Sequence, residues 1–146
     1  MIRTLPVDAP DHDIKQLVVE WSELLAQKRF AEAIDMFDVS PRESALTPEE
    51  LELWIRNYGS PDPFPDGRTF ELTSLLALEN ADDIIANRIE VDRDNLYGLD
   101  AEQYLGMVHY DDVPLNGEPS DLTARFHIKK VGDDQLTLEF LDIHVM

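Results

Sequence analysis

The chain contains no cysteine among its 146 residues. Disulfide bonds, thiolate metal sites and cysteine nucleophiles are therefore excluded, and so is redox chemistry through thiols. A cysteine-free chain suits a reducing compartment, where disulfides do not persist. We therefore expect a cytoplasmic protein.

Long apolar runs are also missing. The longest uninterrupted runs are only a few residues, such as Leu75 to Leu78, whereas a membrane-spanning helix needs about 20. The first residues, Met1 to Asp13, include prolines and aspartates where a signal peptide requires an apolar stretch. We therefore expect neither a membrane span nor an export signal.

Basic side chains are scarce. The chain has 12 lysines and arginines and 31 aspartates and glutamates, which gives a formal net charge of -19. Such a chain repels the phosphates of nucleic acids and the anionic surface of membranes, so we expect neither as a partner. The excess is uneven: residues 61–146 carry 19 acids and 6 bases, whereas residues 1–60 carry 12 and 6. This charge favours a basic protein as the partner.

The sequence also lacks the motifs of serine hydrolases, P-loop proteins and dinucleotide-binding proteins. Its histidines are far apart, and no two have the i, i+3 or i, i+4 spacing of a helical metal site. The histidines are His12, His109, His127 and His144. We therefore predict no cofactor and no structural metal.

Helical patterns occupy the first part of the chain. From Ile14 to Lys28 the apolar residues recur with the spacing of an amphipathic helix, and Phe30 to Phe37 continues as a second helix. Thr47 to Glu50 supplies a capping threonine, a proline at the first helical position and a glutamate three residues after the cap. Gly59 can end this third helix in the left-handed conformation.

Strand patterns replace helical spacing after residue 67. The predicted strands are Thr69 to Leu78, Ile84 to Asp92, Tyr104 to Val113, Leu122 to Val131 and Leu136 to Val145. Short connections join them, as antiparallel neighbours require. We predict one α+β domain over residues 1–146, with three N-terminal helices packed on a curved antiparallel sheet of about five strands. Its buried residues should include Trp21, Leu24, Trp54, Ile55, Phe126 and Leu141.

The helical run from Trp21 to Phe37, with a further helix and a bent antiparallel sheet after it, resembles the nuclear transport factor 2-like superfamily, a group of cystatin-like α+β cones. The resemblance covers nearly the whole chain and implies helices closed over a curved sheet, with a pocket inside the cone. Members of this superfamily include isomerases, dehydratases, ligand carriers and non-catalytic adaptors. The resemblance therefore implies a pocket without specifying its chemistry.

The last two predicted strands form a hairpin, and its register decides which side chains meet. A two-residue turn at Asp133 and Asp134 would place Phe126 opposite Leu141 on a continuous apolar face. The other face would then pair Arg125 with Asp142, Thr123 with His144, and His127 with Phe140. A three-residue turn would instead place Phe126 beside Phe140 and His144 opposite Leu122. We favour the two-residue turn because it keeps the apolar face unbroken.

A polar cluster of Arg125, Asp142, His127 and His144 results from the favoured register. If the cluster lines the cone, Asp142, His127 or His144 is a candidate general base, with Arg125 beside them. If it lies on the outer face of the sheet, an exposed cross-strand pair of arginine and aspartate needs no functional reason. We favour the outer face.

Two functions are consistent with these features. The first is an acidic binding protein that recognises a basic protein partner, as an inhibitor or immunity protein does, through a surface that includes Asp82, Asp83, Asp92 and Asp94. The alternative is a protein that binds a small apolar ligand, or an isomerase or dehydratase-type enzyme, in the cone. A filled interior favours the first and an enclosed cavity the second. The sequence leaves a homodimer open.

Overall fold

The computed structural model describes residues 2–41, 44–60, 62–94, 96 and 98–145. The elements run in the order β1 (Leu5–Pro6), α1 (Asp11–Ala26), α2 (Phe30–Met36), β2 (Asp38–Val39), α3 (Pro48–Arg56), α4 (Ala81–Asn87), β3 (Ile89–Asp92), β4 (Tyr104–Tyr110), β5 (Pro114–Leu115), β6 (Glu118–Pro119), β7 (Leu122–Val131) and β8 (Gln135–Val145). Within these described ranges, no helix has both the length and the apolar character needed to cross a membrane.

The predicted fold class is confirmed: helices pack on a strongly curled antiparallel sheet. The strands lie side by side in the order β1, β8, β7, β4, β3, and each neighbouring pair is antiparallel. The short β2 pairs with β8 in parallel. A separate two-stranded ribbon consists of β5 and β6.

The three N-terminal helices form close to where the sequence places them. The clearest agreement is at α3, where Thr47 Oγ1 accepts a hydrogen bond from Glu50 N at 3.1 Å and Pro48 takes the first helical position. This cap satisfies an N–H that would otherwise have no partner in the first turn. Beyond the helix, Tyr58 is the first left-handed residue, with a φ of 59°, and Gly59 follows at 81°. The N–H of Gly59 bonds to the Trp54 carbonyl, so the left-handed end begins one residue before the predicted glycine.

The predicted strand from Thr69 to Leu78 is wrong. Only an isolated bridge between Leu72 and Leu115 forms there, and Thr73 N bonds to the carbonyl of Pro114 in the β5–β6 ribbon. The apolar run after it folds into a turn, closed by a hydrogen bond from Leu78 N to Leu75 O. The run of four apolar residues thus predicted neither the element nor the burial, since only Leu75 is fully buried and Leu76 is exposed.

The predicted strand from Ile84 to Asp92 is half wrong. Its first part belongs to α4, where Ala81 and Ile84 lie three residues apart on one buried face. Only Ile89–Asp92 pairs as a strand, against β4. The described residues thus include a fourth helix that the sequence analysis missed.

The β7–β8 hairpin uses both of the registers that the sequence allows. From Leu122 to Arg125 the pairs are those of the two-residue turn, including Arg125 opposite Asp142. From Phe126 onwards the pairs are those of the three-residue turn, beginning with Phe126 opposite Phe140. A β-bulge at Leu141 joins the two parts, so each single-register prediction is right for one half and wrong for the other.

The bulge keeps one face of the hairpin apolar and the other face polar along its length. Phe126, Phe140 and Ile143 all lie on the buried face, whereas Leu141, the extra residue, is only half-buried. Leu24 and Trp54 are also half-buried and pack against the core, so the prediction that Leu24, Trp54 and Leu141 are buried holds only in part. The other predicted core residues, Trp21, Ile55 and Phe126, are at most 2% exposed.

Candidate functional site

Successive side chains of β7 point to opposite sides of the sheet, as in any strand. Ala124, Phe126 and Ile128 face the helices and are 0% exposed. Arg125 and His127 therefore face the other way, and we call this side of the sheet the outer face. Arg125 nevertheless lines, with Asp142 and His144 of β8, a solvent-open depression of about 550 Å³ that Glu50 and Trp54 of α3 also border.

One part of the outer face is an ion-paired group around Asp142. The guanidinium of Arg125 donates two hydrogen bonds to the carboxylate of Asp142, from Nε at 2.9 Å and from Nη2 at 2.6 Å. The Nδ1 atom of His144 lies 3.1 Å from Oδ1 of the same carboxylate. Partial burial alone would raise the pKa of Asp142, but the hydrogen bonds and charge of Arg125, with a smaller contribution from His144, outweigh it and lower this pKa.

The second part of the outer face is a group around Glu139, whose side chain is only 2% exposed. His127 Nδ1 lies 2.9 Å from Oε1, and the hydroxyl of Tyr104 donates to the same carboxylate at 3.2 Å. Lys129 Nζ lies 3.4 Å from Oε2 and also pairs with Asp38 at 3.1 Å. The buried carboxylate is thus surrounded by three groups that can donate to it.

Within this second group, the surroundings raise the pKa values of Lys129 and Tyr104. Burial would lower the pKa of Lys129, but hydrogen bonds and the negative charges of Asp38 and Glu139 outweigh it and raise this pKa. Burial raises the pKa of Tyr104, and the negative charge of Glu139 raises it further. Lys129 is therefore held as a cation and Tyr104 as a neutral donor, and both lie beside the carboxyl group of Glu139.

Glu139 was missed by the sequence analysis, which paired His127 with Phe140. The observed partner of His127 is Glu139, because the pairing beyond the Leu141 bulge is that of the three-residue turn. The signal was present in the sequence. A two-residue turn would have put the carboxylate of Glu139 opposite Ile128 on the apolar face, and a charge in that position argues against the register.

The inner face is filled by aromatic side chains. The Trp21 ring lies 5.1 Å from the ring of Phe126 and 5.6 Å from that of Phe140, and Phe37 lies 5.7 Å from Phe126. Beside them the buried hydroxyls of Ser22 and Tyr110 share a hydrogen bond of 2.8 Å. Trp21 and its aromatic neighbours therefore pack closely between α1 and the inner face of the sheet.

The four aspartates predicted to bind a partner lie near the start of α1. Asp82 and Asp83 are exposed in the first turn of α4, and Asp82 lines a shallow depression together with Asp11 of α1. Asp92 and Asp94 flank Arg93, whose Nε donates to Asp11 at 3.0 Å. Asp11, at the start of α1, thus lies next to Asp82 on one side and is bonded to Arg93, between Asp92 and Asp94, on the other.

A larger depression, which we call the α1–α2 groove, has a volume of about 620 Å³ and is open to solvent. Its lining residues are Arg3, Gln16, Val19, Glu20, Glu23, Leu24, Gln27, Glu32, Asp35, Met36 and Leu76. Four of these are acidic and one is basic, and that one, Arg3, is paired with Glu20. The groove therefore combines apolar side chains with an excess of negative charge.

No protein-family model, no curated protein and no solved structure matches this chain. Within the described ranges, no group of three or more histidine, aspartate or glutamate side chains is arranged to hold a metal ion. The candidate site therefore has to be interpreted from its own geometry and charge.

Proposed function

We propose that this protein is an acidic binding protein that recognises a basic protein partner in the cytoplasm, in the manner of an immunity or inhibitor protein. The observation that carries the proposal is the contrast between the two sides of α1. Its inner side packs aromatic rings against the sheet, and its outer side adjoins the α1–α2 groove and the depression with Asp82.

The acidic surface at the start of α1 supports fast association with a cation. Residues 79–112 carry ten acids and two bases, and Asp82, Asp83 and Asp94 are exposed. Unlike charges attract over about 10 Å at 0.1 M salt, so the surface steers a basic protein before contact is made. The charge of -19 adds to this attraction at longer range when salt is low.

The alternative function, a small-ligand protein or an enzyme of the isomerase or dehydratase type, has less support. Its candidate residues lie away from the aromatic rings that pack on the inner face of the sheet, and the depression that Arg125, Asp142 and His144 line beside Trp54 is open to solvent, not enclosed. The nuclear transport factor 2-like assignment remains a proposal, supported by helices that cover a curled antiparallel sheet. That superfamily includes non-catalytic adaptors, which agrees with a binding role.

The test replaces Asp82, Asp83, Asp92 and Asp94 with asparagine. After a partner has been isolated by affinity capture and identified, its association rate is measured by stopped-flow at about 0.05 and 0.5 M salt. We expect the replacement to slow association about tenfold at low salt and to have little effect at high salt. A partner that is a neutral small molecule, or an association rate that is indifferent to salt, would contradict the proposal.

A matched control changes the net charge equally at a different place. Asparagine at Asp62, Asp121, Asp133 and Asp134, all exposed, also removes four negative charges. This control should slow association much less, because steering depends on where the charge lies relative to the binding surface. Equal slowing by both variants would mean that only the total charge matters.

A further inference from the structure

The floor of the α1–α2 groove is apolar. Val19 and Met36 lie at its base with 4% and 6% of their surface exposed, and Leu24 is half-buried between the helices. An open depression with an apolar floor and polar edges is typical of a surface that receives a partner's side chains.

Leu76 is the most exposed large apolar residue in the described part of the chain, at 59%. It is nevertheless held in place, because its N–H donates to Glu23 Oε1 at 3.0 Å while Ser74 Oγ donates to Glu23 Oε2 at 2.8 Å. The neighbouring Leu75 is 0% exposed and anchors the turn in the core. The fold therefore fixes a leucine at the edge of the groove, where water surrounds it in the free protein.

Negative charge surrounds this apolar surface. Glu20 pairs with Arg3, and Glu32 pairs with Arg29. Asp35 is exposed and has no ion pair among the residues that the structure describes. A cationic partner can therefore approach Asp35 directly, whereas Glu20 and Glu32 already have arginine partners.

The groove has the length of a short helix. Along α1 it extends from Gln16 to Gln27, about 17 Å at 1.5 Å per residue, which matches about three turns of a helix laid beside it. Gln16 also lines the depression that contains Asp11, Lys15 and Asp82, so the two depressions adjoin along α1.

We propose that the α1–α2 groove binds a basic amphipathic helix of the protein partner. The apolar stripe of this helix packs on Val19, Leu24, Met36 and Leu76, and its lysines and arginines lie over the acidic edges, which is a known mode of helix-in-groove recognition. The inference rests on the proposed function in that the partner is cationic. It adds where the partner is anchored and which secondary structure it presents.

The test uses two synthetic fluorescent peptides of roughly 18 residues, which form a helix of about 27 Å. In the first, leucines at i, i+3, i+4 and i+7 form one stripe and lysines occupy the other faces. The second has the same composition in an order that breaks the stripe. Anisotropy should show the first peptide binding at least about tenfold more tightly, since only that peptide can bury its leucines together.

Two groove variants and their controls locate the binding. Leu76→Ser should weaken binding of the striped peptide about tenfold. The same change at Leu53, which is 41% exposed on α3, should leave it unaltered. Glu32→Gln combined with Asp35→Asn should weaken binding at about 0.02 M salt and much less at 0.2 M, whereas Asp133→Asn with Asp134→Asn should not.

The outcomes separate this inference from the proposed function. Equal binding of both peptides, or binding that Leu76→Ser leaves unchanged, would overturn the groove as a helix site. If that binding still fell with salt and with asparagine at Asp82, Asp83, Asp92 and Asp94, the acidic binding role would stand. Failure of both peptides to bind at about 0.02 M salt would count against both proposals, since a strongly acidic interface attracts lysine-rich peptides most under that condition.

Discussion

The two faces of the sheet formed by β4, β7 and β8 share the same strands but are stabilised by different interactions. On the inner face, Phe126 and Phe140 pack against Trp21 at ring distances below 6 Å. On the outer face, one residue away in β7, Arg125 and His127 contact carboxylates of β8. The inner face is stabilised by apolar burial, and the outer face by ion pairs and hydrogen bonds.

The outer face is not merely a solvated surface. Its centre, Glu139, is as well buried as the core residues, although its neighbours Lys129 and Asp142 are about a third exposed. A buried carboxylate costs stability unless its partners are present, so this face is sensitive at one residue and tolerant elsewhere. The loss of stability when a polar side chain is replaced therefore depends on how deeply that side chain is buried, and not on which face of the sheet carries it.

The largest expected loss of stability follows from a substitution on the inner face of the sheet. Trp21→Ala removes the ring that contacts both Phe126 and Phe140 and leaves a cavity, so the free energy of unfolding should fall by about 3–5 kcal/mol. Urea unfolding followed by circular dichroism measures the change. The other tryptophan, Trp54, is half-buried, so Trp54→Ala should cost clearly less. A Trp21→Ala variant of near-native stability would contradict the assignment of the core.

The next largest loss of stability is expected at Glu139, the buried centre of the outer face. Glu139→Gln keeps the shape of the side chain but removes the charge that His127, Tyr104 and Lys129 surround, and should cost about 1–3 kcal/mol. Glu71→Gln is the control, because Glu71 pairs with Lys28 where both side chains are about two thirds exposed. That control should change stability by at most about 1 kcal/mol. Equal losses would mean that burial does not set the sensitivity of the outer face.

How far the sequence predicts this architecture depends on whether the relevant signal is local. The Thr47 cap acts within four residues, and the alternation of β7 is strict, so α3 and the bounds Leu122–Val131 agree with the structure. The segment from 69 to 92 carries apolar residues without a decisive period, and its structure depends on contacts with Glu23 and the β5–β6 ribbon. Such contacts are set by the tertiary fold, which local patterns do not encode.

The candidate site shows the same limit. Sequence reasoning correctly paired Arg125 with Asp142, because that pair lies in the half of the hairpin where the favoured register holds. It missed the partner of His127 because a bulge shifts the pairing by one residue, and a one-residue shift exchanges the two faces. A prediction that fixes one register for a long hairpin cannot anticipate that exchange.

A smaller effect is expected at Asp142. The pKa of Asp142 is lowered in the folded protein from its ordinary value of 3.8, so the stabilisation is complete above that pH and is lost as the pH falls through the folded pKa. Asp142→Asn should cost about 0.5–1 kcal/mol at pH 7, since the pair with Arg125 is a third exposed. Urea titrations of both proteins at several pH values should show this difference vanish in acid. A difference that persists below the folded pKa would contradict the ion-pair origin.

The smallest expected effect is that of metal removal, for which we predict no change. The outer face brings two carboxylates and two histidines within hydrogen-bond distance, which at first suggests a metal site. The carboxylate of Asp142 already accepts two hydrogen bonds from Arg125, and Lys129 places a positive charge 3.4 Å from Glu139, so a divalent cation would meet fixed positive charges at both. Thermal unfolding with and without a chelator should give the same midpoint. A drop of several degrees that zinc reverses would show that these cations move aside, and the outer face would then be a metal site instead of an ion-pair network.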